Sequence, residues 1–218
     1  MKIVTTTGAC GARIEGLDLS KELSPELIAD VRSAWLKHHV VVFPDQVITD
    51  DDLERFSLYI GEFSGDPYLP TIQGRDHIVE LRRGANEKAP IFAEAWHTDW
   101  SFGKTPPAAT ILHSLIIPPV GGNTSFINQH KALAEMPLDL RQRLEGKVAI
   151  HSAKAAYAPD GLYGEREKES DRSMKIIYSE QANNVVRHPL IQVHPESGEE
   201  ALYGCFGYII GIESVTAE

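Results

Sequence analysis

The sequence predicts an α+β fold that is mainly β beyond residue 61, and three local patterns support this. Ser24-Pro25 is typical of a helix start, because serine caps the first amides and proline fits the first helical position. Thr49 precedes a second helical pattern with aspartates in its first turn, where the helix dipole favours negative charge. Beyond residue 61, short apolar runs alternate with turn residues, which is typical of strands and loops.

Further elements follow from the same kind of pattern. The β-branched run over 39–43 is closed by Pro44 and predicts a buried strand. The other segments with helix or strand patterns are, in chain order, strands over 78–81 and 109–115, a helical pair over 133–144 interrupted at Pro137, a strand over 147–152 and a hairpin over 189–203.

One long segment carries no clear pattern. Residues 156–183 are polar, and a loop of that length inside a compact domain is usually a lid, a binding loop or disordered. We therefore predict a lid or flexible loop over 156–183. The charge run over 165–172 inside it is predicted to be a solvated loop face.

Composition and charge exclude some partners. The chain has 218 residues, of which 42% are hydrophobic, so it can bury a substantial core. Its net charge of −10 argues against broad binding to a phosphate backbone, which needs a basic surface. We therefore predict no nucleic-acid partner, whereas the charge does not argue against a small anionic substrate.

The cysteines and the apolar runs bear on location. Cys10 and Cys205 lie far apart and match no metal or redox spacing, which predicts two free thiols in a reducing compartment. No run approaches the ~20 apolar residues of a membrane span, and the N-terminus lacks the apolar block of a signal peptide. These observations predict a cytoplasmic protein with no membrane partner.

The strongest indication of chemistry is His97-Thr98-Asp99. On an extended strand, residues two positions apart project to the same side, so both side chains could reach one cation. A histidine and a carboxylate make up two thirds of the two-His-one-carboxylate face that holds non-haem Fe(II). The alternative for His97 and Asp99 is a hydrogen-bonded pair at a strand edge.

Four other histidines could contribute to a site. His113 and His151 are predicted to be structural, although His151 precedes the long loop and could approach a substrate. His188 and His194 are six residues apart and would share a face of a strand. We predict structural hydrogen bonding for both, and they would be the first to test as a third metal ligand within the chain.

Several motifs together resemble the taurine dioxygenase / 2,4-dichlorophenoxyacetate dioxygenase family of Fe(II)- and 2-oxoglutarate-dependent oxygenases. The motifs are Trp96-His97-Thr98-Asp99-x-Ser101-Phe102, Pro106-Pro107-Ala108, Gly121-Gly122-Asn123-Thr124 and the later 188–198 segment. The resemblance implies one dioxygenase-like domain over 1–218, with a double-stranded β-helix (jelly roll) flanked by helices.

The resemblance also implies roles for three residues. It assigns metal binding to His97 and Asp99, and contact with the 2-oxoglutarate carboxylate to Thr124. It implies Fe(II) as cofactor and 2-oxoglutarate as cosubstrate, with formation of succinate and CO2. Asn123 stands where the family motif usually has an aspartate, and this departure leaves Thr124 intact.

The family's distal metal histidine and 2-oxoglutarate-binding arginine have no counterpart in the chain. We therefore expect a jelly roll that is incomplete at the C-terminus, a weakly held metal, and poor or no turnover. Uncovered sheet edges would then favour self-association, so a homo-oligomer is a further expectation.

The substrate does not follow from the sequence beyond its class. The resemblance implies hydroxylation of a small organic, acidic molecule, and the segments over 66–69 and 93–95 do not match the taurine-binding pattern. The alternative functions are a non-catalytic β-helix protein that binds a small acid or a partner, and a cupin-like metal protein.

Overall fold

The computed structural model describes residues 1–165, 167 and 170–215. Within them the chain forms two compact units, each assembled from three separate segments. The first unit comprises residues 1–62, 108–137 and 193–202. The second unit comprises residues 63–107, 138–192 and the described residues from 203 onward. One dioxygenase-like domain over 1–218 stays a prediction.

The elements of both units follow in chain order. They are β1 Lys2–Thr5, β2 Ala12–Glu15, α1 Pro25–His38, β3 Val41–Val42, α2 Asp50–Ile60, α3 Gln129–Ala134, α4 Leu138–Leu144, β4 Val148–Ser152, α5 Lys154–Tyr157, a 3-10 helix Glu180–Asn183, β5 Val185–Pro189, β6 Ile191–Val193, β7 Glu200–Leu202 and β8 Ile209–Ile212.

The two N-terminal helices begin where the sequence predicts. The Ser24 side chain accepts a hydrogen bond from the amide of Leu27 at the start of α1. At α2, Thr49 and Asp52 form a reciprocal capping box, which satisfies two amides that would otherwise lack partners. His39 then ends α1 with a φ of 65°, so the predicted strand over 39–43 shortens to β3. This strand is not buried as predicted, because Val42 is 51% exposed.

The first unit packs its helices beside a three-stranded sheet. Strand β2 pairs antiparallel with β1 and parallel with β3. The buried core of this unit consists of Ile14, Leu19, Val31, Ala34 and Phe56. Between β6 and β7 the chain turns at 194–199, where the amide of His194 donates to the carbonyl of Glu199 at 2.8 Å.

The second unit contains an antiparallel sheet of order β5-β4-β8. Its register pairs His151 of β4 with Val186 of β5, and Ala149 with His188. An aromatic core packs in this unit, with buried Tyr68, Tyr157, Tyr163, Ala153 and Ala182 among its members.

The segment over 156–183 contributes to that core. Tyr157, Tyr163 and Ala182 are buried, and Asp171 accepts hydrogen bonds from the amides of Lys88 and Ala89, each at 2.8 Å. The predicted solvated face over 165–172 is wrong for Arg172, whose side chain is 3% exposed and pairs with Glu167. Arg166, Lys168 and Glu169 of the charge run lie outside the described residues. A role as lid stays a prediction.

Two predicted strands are wrong. Residues 78–81 form only an isolated bridge, between Thr71 and Val79. Residues 109–115 form no strand in the described part of the chain, because a strand needs a hydrogen-bonded neighbour and none of these ladders includes them. Leu115 and Ile116 are 82% and 92% exposed there. We refer to residues 112–127 as the exposed apolar segment.

A membrane-spanning helix would need a long apolar stretch. None of the helices in the described ranges combines the length and the apolar character required to cross a bilayer.

Candidate metal centre

The candidate metal ligands lie in the second unit. Nε2 of His97 lies 3.0 Å from Oδ1 of Asp99. The Nδ1 atom of the same ring lies 2.8 Å from the carbonyl oxygen of Ala95. The side chains are 31% and 39% exposed, so an ion from solvent can reach both. The structure therefore brings one imidazole nitrogen and one carboxylate oxygen to a single accessible point.

The backbone that positions this pair differs from the sequence prediction. We predicted an extended strand, but His97 lies in an irregular segment and Asp99 begins a turn. Trp100 has a φ of 47°, and the amide of Gly103 donates to its carbonyl at 2.8 Å. Because no described strand pairs with residues 97–99, a turn rather than a pleat brings the side chains together.

Electrostatics couple the two side chains. The hydrogen bond that His97 donates to the Asp99 carboxylate raises the pKa of His97 and outweighs the opposing effect of burial. With Nδ1 donating to the Ala95 carbonyl, Nε2 is the atom that faces Asp99, and a backbone partner of this kind commonly fixes the tautomer of a metal-binding histidine.

A second carboxylate lies on a neighbouring loop. Asp66 accepts hydrogen bonds from the amides of Tyr68 and Leu69 at 2.6 and 2.9 Å. Burial nevertheless raises the pKa of Asp66, and the side chain of Trp100 also donates to it. Asp66 thereby links the 66–69 loop to the turn that follows Asp99.

The donor set of the pair fits a divalent cation in part. Imidazole nitrogen and carboxylate oxygen are two of the three donors of a two-His-one-carboxylate site. In the described ranges, no group of three or more His, Cys, Asp or Glu side chains is arranged to hold a metal. His97 and Asp99 would therefore supply two ligands, and the described residues supply no third.

Thr124 is not brought into this geometry by any described contact. It belongs to the first unit, where it is exposed in an irregular stretch between Gly122 and α3. Its proposed contact with 2-oxoglutarate stays a prediction.

The other candidate histidines are buried, half-buried or hydrogen-bonded to the backbone, which indicates structural roles. Nε2 of His188 lies 3.0 Å from the carbonyl oxygen of Gly103, and His151 is fully buried. His194 accepts hydrogen bonds at Nδ1 from the amides of Glu196 and Ser197, both at 3.3 Å. His113, in the first unit, is half-buried.

A cleft of about 360 Å³ lies beside the turn, and Trp100, the residue after Asp99, forms part of its wall. Its walls include the aromatic rings of Tyr68, Trp100 and Phe102 and the amides of Gln181 and Asn184. None of the described residues that line it is charged. The sequence did not indicate Gln181 and Asn184, because the 3-10 helix and its C-cap, which bring them here, carry no site motif.

Comparison with known proteins gives a consistent result. The sequence model of the family described as "Taurine catabolism dioxygenase TauD, TfdA family" matches residues 2–217. An alkylsulfatase of Acinetobacter baylyi is 35% identical over 199 residues, which cover 90% of this chain and 60% of that protein. An alpha-ketoglutarate-dependent sulfate ester dioxygenase of Pseudomonas putida is 32% identical, with 89% and 63% covered.

A solved structure agrees with these matches. The crystal structure of a taurine dioxygenase from Burkholderia xenovorans superposes with a TM-score of 0.74 and 28% identity, covering 99% of this chain and 66% of that one. The architecture is therefore the jelly-roll type of these dioxygenases, as the sequence predicts. The chain spans 60% and 63% of the length of the two curated relatives.

Proposed function

The chain belongs to the taurine catabolism dioxygenase (TauD, TfdA) family, and from this premise we propose that it binds Fe(II) and 2-oxoglutarate and hydroxylates a small sulfate ester. We expect slow turnover, because His97 and Asp99 are the two protein ligands that the described residues supply. The observation that carries the proposal is the contact of 3.0 Å between His97 and Asp99. The matches to named dioxygenases do not favour the non-catalytic alternative.

The residues of the site would orient a ligand, bind the cation or bind the cosubstrate. The carbonyl of Ala95 orients the His97 ring, so that Nε2 points at the position that the Asp99 carboxylate also faces. Asp99 supplies an anionic oxygen for the cation, and Thr124 would donate its hydroxyl hydrogen to a carboxylate of 2-oxoglutarate. Fe(II) and 2-oxoglutarate, when bound, supply the oxidation of a substrate C–H bond.

The uncharged cleft beside Asp99 is suited to the hydrocarbon part of the substrate. Aromatic walls such as Trp100 and Phe102 bury apolar groups, and the amides of Gln181 and Asn184 can hydrogen-bond neutral oxygens. The sulfate group would lie outside this cleft, because none of the described lining residues offers a positive charge to it.

The substrate class comes from the two curated relatives named for sulfate esters. Hydroxylation of the carbon next to the ester oxygen consumes O2 and 2-oxoglutarate and gives succinate and CO2. The hydroxylated ester then breaks its C–O bond to the sulfate group, leaving an aldehyde and hydrogen sulfate. We further propose a cytoplasmic location, because Cys10 and Cys205 are both free thiols.

Binding of the cosubstrate tests the proposal. Fe(II) and 2-oxoglutarate are added to the chain without oxygen, and the weak visible charge-transfer band of the chelate is recorded. We expect a band in the wild-type chain, its loss in Asp99→Ala, and a change in the band when an alkyl sulfate is added. Absence of the band in the wild type would contradict the cofactor assignment. A band that responds to a matched alkyl sulfonate and not to the sulfate would contradict the substrate class.

A further inference from the structure

A buried polar network lies beside the candidate metal turn, in the second unit. His151 of β4 is fully buried, and its Nδ1 lies 3.1 Å from Oγ of Ser101, which is also fully buried. His188 of β5 packs edge-on against His151, with ring centroids 5.2 Å apart. The strand register places the two histidines as diagonal neighbours on one face of the sheet.

Both histidines contact the turn that follows Asp99. His151 contacts the side chain of Ser101, and His188 donates from Nε2 to the carbonyl of Gly103 at 3.0 Å. Ser101 and Gly103 therefore each make one polar contact with the β5-β4-β8 sheet. The turn itself belongs to no strand of the described chain, so its position depends on such contacts.

The loop at Gly204 packs closely against the ring of His151. Gly204 has a φ of 106°, and a side-chain carbon at this position would lie 2.5 Å from Cε1 of His151. Close approach of the Gly204 backbone therefore fixes the ring. Nε2 of His151 has no hydrogen-bond partner among the described residues, so the bond to Ser101 is the polar contact that the buried ring makes.

Resting on the proposed function, we propose that His151 and His188 are positioning residues for the metal pair. They fix Ser101 and Gly103 against the sheet, and because Asp99 lies two residues before Ser101, they thereby set where its carboxylate lies relative to His97. Groups hydrogen-bonded directly to a metal ligand commonly change metal affinity 10- to 100-fold. The two histidines act on Asp99 through the backbone of the turn, so we expect an effect at the lower end of this range. A buried pair that served only stability would not affect it.

Three variants separate positioning from stability. Ser101→Ala removes the contact with His151, and His188→Leu removes the bond to Gly103. His188→Gln keeps a donor near the position of Nε2 and serves as the rescue variant. Ser152→Ala is the matched control, because Ser152 is fully buried on the same strand β4 and its Oγ donates at 2.8 Å to the carbonyl of Ala182 rather than to a residue of the turn.

The readouts are Mn(II) affinity, from the electron paramagnetic resonance signal of free Mn(II), and amide hydrogen exchange of residues 99–103 by mass spectrometry. We expect Ser101→Ala and His188→Leu to weaken Mn(II) binding about tenfold and to speed exchange in the turn. We expect His188→Gln and Ser152→Ala to match the wild type, even where Ser152→Ala lowers the melting temperature.

The outcomes distinguish the two proposals. In one outcome, the wild type binds Mn(II), and Ser101→Ala and His188→Leu keep both the wild-type affinity and the wild-type exchange. This result would overturn the positioning role and leave the proposed function intact. No Mn(II) binding by the wild type would overturn the proposed function and, with it, the role of the network at a metal site. Faster exchange in the turn together with weaker binding, rescued by His188→Gln, supports the positioning role.

Discussion

His97 Nε2 lies 3.0 Å from Asp99 Oδ1, although His97 lies in an irregular segment and Asp99 begins a turn, so that neither belongs to a strand. The opposite ring nitrogen is held by the Ala95 carbonyl at 2.8 Å. The contact is therefore oriented from both sides of the ring. Both side chains also remain open to solvent. A divalent cation can therefore reach the pair and replace the proton between Nε2 and Oδ1.

Thr124 provides a test of cosubstrate binding that is independent of the metal ligands. Thr124→Ala removes the hydroxyl proposed to donate to a 2-oxoglutarate carboxylate. A hydrogen bond to a charged group contributes about 1.5–3 kcal/mol, so we expect the dissociation constant of 2-oxoglutarate to rise about tenfold or more. The measurement is an anaerobic titration of 2-oxoglutarate in the presence of Fe(II).

Two matched variants control that titration. Thr124→Ser keeps the hydroxyl and is expected to bind like the wild type, as is Ser125→Ala next to it. Equal affinities for Thr124→Ala and Thr124→Ser would remove Thr124 from the cosubstrate site.

The burial of His151 predicts a pH dependence of stability. Desolvation, with a smaller contribution from His188, lowers the pKa of His151 to about 4, against about 6.5 in an unfolded chain. Between these values the unfolded chain binds more protons, so the free energy of unfolding falls as the pH falls through this window. The loss attributable to His151 would reach about 3 kcal/mol, at about 1.4 kcal/mol per pKa unit.

Denaturant unfolding at several pH values between about 7 and about 4 checks this prediction. His151→Asn is expected to flatten the dependence, because asparagine does not titrate, whereas His113→Asn is expected to keep the wild-type slope. The same slope in the wild type and in His151→Asn would show that the buried ring does not control acid sensitivity.

The exposed apolar segment predicts self-association of the chain. Leu115, Ile116 and Val120 are 82%, 92% and 88% exposed, and large apolar side chains exposed close together in the chain favour burial against another surface. We expect Leu115→Lys with Val120→Lys to weaken self-association tenfold or more, since burial of one large apolar side chain contributes about 1.5–3 kcal/mol.

Sedimentation velocity over a range of concentrations measures that effect. Val47→Lys is the control, because Val47 is 93% exposed and lies outside this segment. A wild-type chain that sediments as a monomer at every concentration, or an equal effect of Val47→Lys, would contradict the prediction.

Sequence reasoning succeeded where the determining interactions are local. Ser24 and Thr49 cap their helices through amides three residues away, so the helix starts follow from neighbouring residues alone. The strand over 109–115 could not be judged in this way, because a strand also needs a partner elsewhere in the chain. The alternating apolar pattern is present over these residues, but no described ladder includes them, so the strand prediction is wrong.

The site shows the same limit. The chemical types of His97 and Asp99 predicted a shared cation, and the structure brings their side chains together by a turn that the sequence did not indicate. The contacts of His151 with Ser101 and of His188 with Gly103 join residues 50 and 85 positions apart. Such contacts depend on the fold, so the sequence could predict a structural role for these histidines but not their partners.

Titration of the chain with Mn(II), followed by the disappearance of the free-ion electron paramagnetic resonance signal, tests the central claim most directly. We expect one Mn(II) ion to bind per wild-type chain, and Asp99→Asn and His97→Gln each to weaken that binding at least tenfold, because each removes one of two protein ligands. A wild-type chain that binds no Mn(II), or binding that both variants leave unchanged, would contradict the assignment of His97 and Asp99 as metal ligands.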